Sequence, residues 1–308
     1  MISFKQTFII IISVLFFFVV LFALNITNDI PLEELKTEFK NKNSIFFEVD
    51  GAFVHYVDEG EGMPIILLHG TGASLHTWDF WADRLKEKYR VIRITLPGFG
   101  LSGPRPDKKY KIKDYVNLLE SFVSQIGIEK FHLAGNSLGG SVAWLYTSFY
   151  EKRVIKLVLI NSSGFKSEDI PFVIRIAKNK YLNFLVKKTS PQFLIIKSLK
   201  EVFYDDNLIS NSIIERYYKL NLREGNRQAF IDRALINYTD QTSRLTKIKS
   251  PTLILWGQND KWINVKFAQK FKTMIKGSKV FIMNETGHIP MEERPFESLK
   301  IVDDFLVE

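Results

Sequence analysis

Apolar residues along this chain fall into short runs and helical stripes that alternate with polar turns. Ser44-Val49 and Ala52-Val57 are apolar-rich and flank Asp50-Gly51, a dipeptide suited to a two-residue turn, so a β-hairpin is predicted. Ile65-Leu68 is wholly apolar, as a strand buried on both faces should be. Trp78-Tyr89 carries apolar residues at helical spacing, and Val91-Leu96 is the next strand, stopped by Pro97-Gly98. Tyr110-Ile126 shows the 3.6-residue stripe of an amphipathic helix. Phe131-Ala134 (strand), Leu138-Phe149 (helix) and Val154-Ile160 (strand) continue the alternation. Strand and helix in turn predict a mostly parallel sheet covered on both faces, an α/β fold.

The rhythm breaks at Phe165. Up to about Leu245 the apolar residues have helical spacing only, as in Ile170-Leu185, Phe193-Phe203 and Ser212-Leu222, which predicts an inserted helical segment. The strand pattern returns at Thr252-Trp256. A helix at Val265-Ile275, a strand at Lys279-Met283 and a last helix near Pro295-Leu306 follow. The organisation expected is an N-terminal segment 1-28, a linker or short helix 29-43, a core formed by 44-164 and 246-308, and a helical cap 165-245.

The N-terminal segment differs from the rest. Phe8 to Leu24 is apolar except for Ser13, just long enough as a helix to cross a bilayer. No small-x-small cleavage site follows, since Leu21 stands two residues before Ala23, so an uncleaved anchor in residues 8-26 is expected. Secretion after signal cleavage is the alternative. Lys5 before the run and Asp29, Glu33 and Glu34 after it put the N-terminus in the cytoplasm and the catalytic part outside.

Composition narrows the chemistry. There are no cysteines among the 308 residues, which excludes disulfides, thiolate catalysis and Cys-based metal sites. The formal charge of +8 is spread over the chain as separate lysines, with no nucleic-acid motif. Either a basic face near an anionic membrane or ordinary surface lysine accounts for it.

The candidate chemistry sits at strand ends. Gly135-Asn136-Ser137-Leu138-Gly139 lies between an apolar strand and an apolar helix. The glycines leave room for a sharp strand-to-helix turn that exposes the Ser137 hydroxyl above a helix N-terminus. A phosphate loop needs a different glycine spacing, so a nucleotide site is not expected here. His69-Gly70-Thr71-Gly72 follows an early strand, where backbone N–H groups of Thr71 and Leu138 would form an oxyanion hole. His69 itself is assigned a structural role in that loop. Asp260 follows Thr252-Trp256, and His288 follows Lys279-Met283 in a glycine-flanked loop. Of the five histidines, only His288 is both late in the chain and in such a loop. The order Ser137, Asp260, His288 suits a nucleophile, an orienting acid and a general base.

Taken together, L-L-H-G-T-G-A-S (67-74), L-P-G-F-G-L-S-G (96-103), L-A-G-N-S-L-G-G (133-140), L-W-G-Q-N-D (255-260) and T-G-H (286-288) resemble the α/β-hydrolase superfamily, in its branch with a helical cap. The resemblance implies an eight-stranded, mostly parallel sheet, the triad and oxyanion residues above, and no cofactor or metal. Members with Asp at the nucleophile position open epoxides or displace halide, which Ser137 argues against. Relatives that cleave carbon–carbon bonds often carry G-x-G-P-G in the oxyanion loop, whereas Ala73-Ser74 follow Gly72 here. The expected function is hydrolysis of a carboxylic ester or similar small-molecule carbonyl substrate with an apolar group, roofed by the aromatic residues of the cap. The alternatives are carbon–carbon hydrolysis of ring-fission products, or an aminopeptidase-like amide hydrolysis that would use a cap carboxylate such as Asp205, Asp206 or Glu215. A non-enzymatic binding protein on the same fold is the remaining one.

Overall fold

The computed structural model describes residues 26–166 and 170–308, with Gln6, Phe8, Ile10, Ile12, Ser13 and Phe16 of the N-terminal run. Eight strands form one sheet: β1 (Ser44–Val49), β2 (Ala52–Glu59), β3 (Met63–Leu68), β4 (Tyr89–Thr95), β5 (Phe131–Asn136), β6 (Val154–Ile160), β7 (Thr252–Gly257) and β8 (Lys279–Met283). Their spatial order is β1-β2-β4-β3-β5-β6-β7-β8. The hairpin β1–β2 and the pair β2–β4 are antiparallel, and every pair from β4 to β8 is parallel. Asp50 and Gly51 turn the hairpin with φ of 48° and 70°, the positive values that a two-residue turn requires.

The pleat divides the core. Ile66, Leu68 and Leu133 point to one face, where they meet Phe122, Trp144, Trp256 and Phe271. Ile65, Leu67 and Ala134 point to the other, against Trp78, Trp81, Phe203 and Phe305. Each such Ile or Leu side chain taken fully out of water contributes about 1.5–3 kcal/mol. The continuous apolar runs are therefore what a sheet covered on both faces selects. Trp78 and Trp81 belong to this core and are fully buried.

Between β6 and β7 the chain forms the helices Phe172–Lys178, Asn183–Lys188, Gln192–Val202, Asn211–Asn221 and Asn226–Ala234. The last of these has no clear apolar periodicity, because its residues are mostly polar. Several aromatics of the insertion expected over a pocket, such as Tyr181 and Phe193, lie exposed instead.

The N-terminal expectation is corrected. Among the described residues no helix is long and apolar enough to cross a membrane, which overturns the expected anchoring of the enzyme to a bilayer. Most of residues 8-26 lie outside the described residues. The end of that run is engaged by protein: Ile26 pairs antiparallel with Thr189, and Thr27 N–H donates to Lys188 O at 3.0 Å. Of the linker or short helix expected for residues 29-43, the structure has the helix, packed onto the protein. Helix Leu32–Phe39 buries Leu35 against Leu101 and Leu220, and Asp29 pairs with Arg227 at 2.7 Å. The physical reason is that this stretch has an apolar stripe of its own, which the insertion covers.

Candidate active site

Parallel strands bring their carboxyl ends to one edge, and the loops after β3, β5, β6, β7 and β8 meet there. Ser137 directly follows β5 with φ 52° and ψ −112°, a strained conformation for a non-glycine residue, and helix Leu138–Phe149 begins at the next position. The neighbouring glycines are there for contact. A Cβ on Gly135 would lie 2.3 Å from Gly139 O, and one on Gly139 would lie 2.2 Å from Leu68 O. Ser137 is held through its backbone: its N–H donates to Ile160 O at 3.1 Å, and its carbonyl accepts from Ser163 N and Ser163 Oγ at 3.1 and 3.0 Å. Leu138 is the first residue of its helix, so its N–H lacks an intrahelical acceptor. Across from the turn, a Cβ on Gly70 would come within 3.1 Å of the Ser137 Cβ, which places the loop after β3 directly against the nucleophile position.

His288 and Asp260 are brought together. The Asp260 Oδ2 lies 2.7 Å from His288 Nδ1, and both residues are buried. Asp260 is fixed on every side: Oδ1 accepts from Trp262 N and Ile263 N at 2.7 and 2.9 Å, and Oδ2 also accepts from Asn161 Nδ2 at 2.7 Å. With Asp260 ionised, Nδ1 carries the proton and Nε2 is left as an acceptor. That Nε2 is buried and has no hydrogen-bond partner among the described residues. Glu285, the other acid near His288 in sequence, points away and sits 3.9 Å from Arg294, exposed.

His69 serves the loop: its Nε2 accepts Leu96 N–H at 2.9 Å and its Nδ1 lies 2.7 Å from Gly70 O. Burial pushes it down to about 4, so it is neutral at ordinary pH.

A cavity of about 120 Å³ opens at this edge, lined by Thr71, Asn136 and His288 from the core and by Val186, Leu194, Ile195, Leu199 and Phe230 from the insertion. Trp262 also lines it, its ring 5.5 Å from that of His288. Tyr217 lines it too, with its hydroxyl turned away to Glu292 at 2.7 Å. No Asp, Glu, Lys or Arg is among the described lining residues.

Several residues of the site go beyond the motifs. Asn161 holds Asp260. Asn136 Nδ2 donates to His288 O at 3.0 Å, and Glu293 accepts Gly287 N–H at 2.6 Å. Arg233 Nη2 donates to Thr71 Oγ1 at 2.7 Å. Asn161, a small polar residue closing a strand, carries a faint signal in the sequence; Glu293, in a run of surface-like charges, carries none.

Residues 63–295 match the alpha/beta hydrolase fold family. The chain belongs to this family. Among its relatives, the α/β hydrolase is 30% identical to a 2-hydroxy-6-oxononadienedioate/2-hydroxy-6-oxononatrienedioate hydrolase of Escherichia coli, over 82% of this chain and 90% of the relative. A solved structure of a membrane phospholipase A, described as a bacterial virulence factor, is 26% identical with a TM-score of 0.74, covering 99% of this chain and 98% of that one. A meta-cleavage product hydrolase from Pseudomonas fluorescens IP01 has the same fold at a TM-score of 0.74 and 22% identity, over 85% of this chain and 97% of its own. This α/β hydrolase is accordingly a hydrolase of small-molecule substrates.

Proposed function

We propose that this chain is a serine hydrolase that cleaves a carboxylic ester with an apolar acyl group through an acyl-enzyme. The observation that carries the reading is His288: its Nδ1 is tied to Asp260, and its buried Nε2 is left without a partner at the edge of an apolar cavity. In this reading Ser137 Oγ attacks the ester carbonyl and gives its proton to His288 Nε2. Thr71 and Leu138 N–H groups hold the oxyanion. The tetrahedral centre collapses, the C–O bond breaks, and His288 returns the proton to the leaving alkoxide. Water then repeats the sequence on the acyl-enzyme and releases the acid and free Ser137. Asp260 keeps the imidazole in the tautomer that both steps use.

The apolar lining supports an uncharged acyl group. It disfavours an aminopeptidase, which needs a carboxylate for the free amine. Asp206 pairs with Lys200 at 2.8 Å, Glu215 pairs with Lys219 at 2.7 Å and Asp205 caps Asn207, all away from the cavity lining. The phospholipase likeness supports an ester with a lipid-like chain. A second reading, carbon–carbon hydrolysis of a ring-fission product, is favoured by the Escherichia coli relative and would use the same three residues.

The test is a panel of p-nitrophenyl esters of increasing acyl length, a ring-fission dienoate and aminoacyl anilides, with organophosphonate labelling followed by intact mass. Ester turnover peaking at short to medium chains, and one adduct lost in Ser137→Ala, are expected. Dienoate turnover above every ester would replace the first reading with the second. Labelling that survives Ser137→Ala would sink both.

A further inference from the structure

A second cavity, of about 400 Å³, adjoins the nucleophile turn. Ser163, whose hydroxyl donates to the Ser137 carbonyl, forms part of its wall, beside Ser141 at 2.6 Å. Arg233 links the two cavities. Arg233 is among the residues lining the second, and its Nη2 donates to Thr71 Oγ1, a residue of the first.

The chemistry of this cavity is the reverse of the apolar one. Among the described residues, Lys111, Lys113 and Arg233 line it and no Asp or Glu does. Among the described residues none of the three forms an ion pair. Arg233 has Thr71 and the face of Phe99, 5.4 Å away, while its Nε is buried without a partner. Lys113 Nζ lies 3.4 Å over the Phe149 ring, which it shares with the Arg244 guanidinium at 3.6 Å. Three described carboxylates of the flanking segments are committed elsewhere. Asp114 accepts Lys111 N–H at 2.8 Å, Asp232 accepts Gln228 Nε2 at 2.7 Å, and Asp240 accepts Thr242 N–H at 2.8 Å. Burial lowers the basicity of Arg233, and of Lys113 with Arg244 beside it. Partly desolvated cations without a counter-charge are unfavourable, and an anion bound between them relieves that.

We propose that the second cavity is an anion subsite, and that it receives a phosphate or carboxylate carried on the leaving half of the substrate. The substrate class is then an ester with an apolar acyl group and an anionic alcohol. This rests on the ester reading above, with the acyl group in the apolar cavity and the anion beyond Thr71.

The experiment uses the full chain and three esters with one acyl group: hexanoyl glycerol 3-phosphate, hexanoyl lactate and neutral hexanoyl glycerol. In parallel, inorganic phosphate and propionate are titrated by calorimetry, which needs no turnover. One anionic ester is expected to exceed the neutral one in kcat/KM by about 10-fold, the order a charge-assisted hydrogen bond provides. Whether it is the phosphate or the carboxylate ester identifies the source. The preference should collapse toward unity in Lys111→Gln/Lys113→Gln and in Arg233→Met, with anion binding weakened by a similar factor. If Arg233→Met does not fold, the lysine pair decides, because Lys111 is exposed and Lys113 only half-buried. Equal turnover of all three esters with no saturable anion binding overturns the subsite and leaves the ester reading standing. Saturable anion binding lost in the variants, with no ester turned over, supports the subsite and overturns the ester reading instead.

Discussion

Glu293 accepts the backbone N–H of Gly287 at 2.6 Å, one residue before the imidazole of His288. Its other oxygen accepts Tyr204 N–H and Asp205 N–H at 2.7 and 2.9 Å, just past the inserted helix Gln192–Val202. His288 N–H in turn donates to Val202 O at 2.7 Å. The loop that carries the proposed base is thus clasped to the insertion that walls the apolar cavity. A buried carboxylate is the joint.

Glu293→Gln should loosen that joint. An amide offers one acceptor oxygen to three N–H donors, and its NH2 faces a donor. Leaving a buried donor unsatisfied costs about 1–3 kcal/mol. We expect a lower urea midpoint, and turnover of a p-nitrophenyl ester slowed by roughly an order of magnitude or more through a displaced imidazole. An unchanged midpoint and unchanged turnover would show that the clasp does not position His288.

Asp260→Asn should keep the fold and slow turnover by a factor on the order of 10⁴, the loss seen when the equivalent change traps the wrong tautomer in a serine protease. Glu285→Gln should have almost no effect, because Glu285 is exposed and reaches only Arg294. Near-normal rates in Asp260→Asn with a collapse in Glu285→Gln would reverse the assignment.

Asn161 acts one step behind. It donates to Asp260 and accepts Gly257 N–H at 3.2 Å, while sitting at φ 43°. Asn161→Ala should cost stability of about 1–3 kcal/mol for the lost buried hydrogen bonds and slow turnover. Asn161→Asp should be worse for catalysis, since a second carboxylate beside Asp260 replaces a donor with a like charge. Steady-state rates for the two variants at matched folded fraction test the order; a faster Asn161→Asp would refute it.

Acid should destabilise the fold through buried neutral histidines. Burial pushes His55 down to about 3 and His69 and His132 down to about 4, from 6.5. Above pH 6.5 these groups are neutral folded and unfolded, and stability is unaffected. As pH falls from 6.5 toward 4 the unfolded chain takes up protons that the folded one does not. Stability then declines by up to about 1.4 kcal/mol per pH unit for each such histidine. His132→Leu should flatten that slope, because its Nδ1 is buried without a partner and an apolar residue fits the strand. Urea midpoints at pH 7, 6, 5 and 4 measure it; parallel wild-type and His132→Leu curves would contradict the account.

Much of this protein was determined by local sequence. Strand runs such as Ile65-Leu68, the helical stripe of Tyr110-Ile126 and the Asp50-Gly51 turn depend on periodicity and on φ, which neighbours along the chain set by themselves. The tight passage of Gly135 and Gly139 beside Ser137 is likewise a local steric demand, so the candidate nucleophile was legible. His288 and Asp260 were legible because parallel strands deliver their following loops to one edge. Tertiary structure alone decided what surrounds them. Asn161 meets Asp260 across 99 residues, and Arg233 meets Thr71 across 162, only because the strand order and the packing of the insertion bring those ends together. The same holds for the N-terminal stretch. Its apolar and charged residues read as an anchor and a linker or short helix in isolation, but Ile26, Asp29 and Leu35 found partners on the insertion. Hydrophobicity along a chain reports that a residue must be covered; which surface covers it is a property of the folded whole.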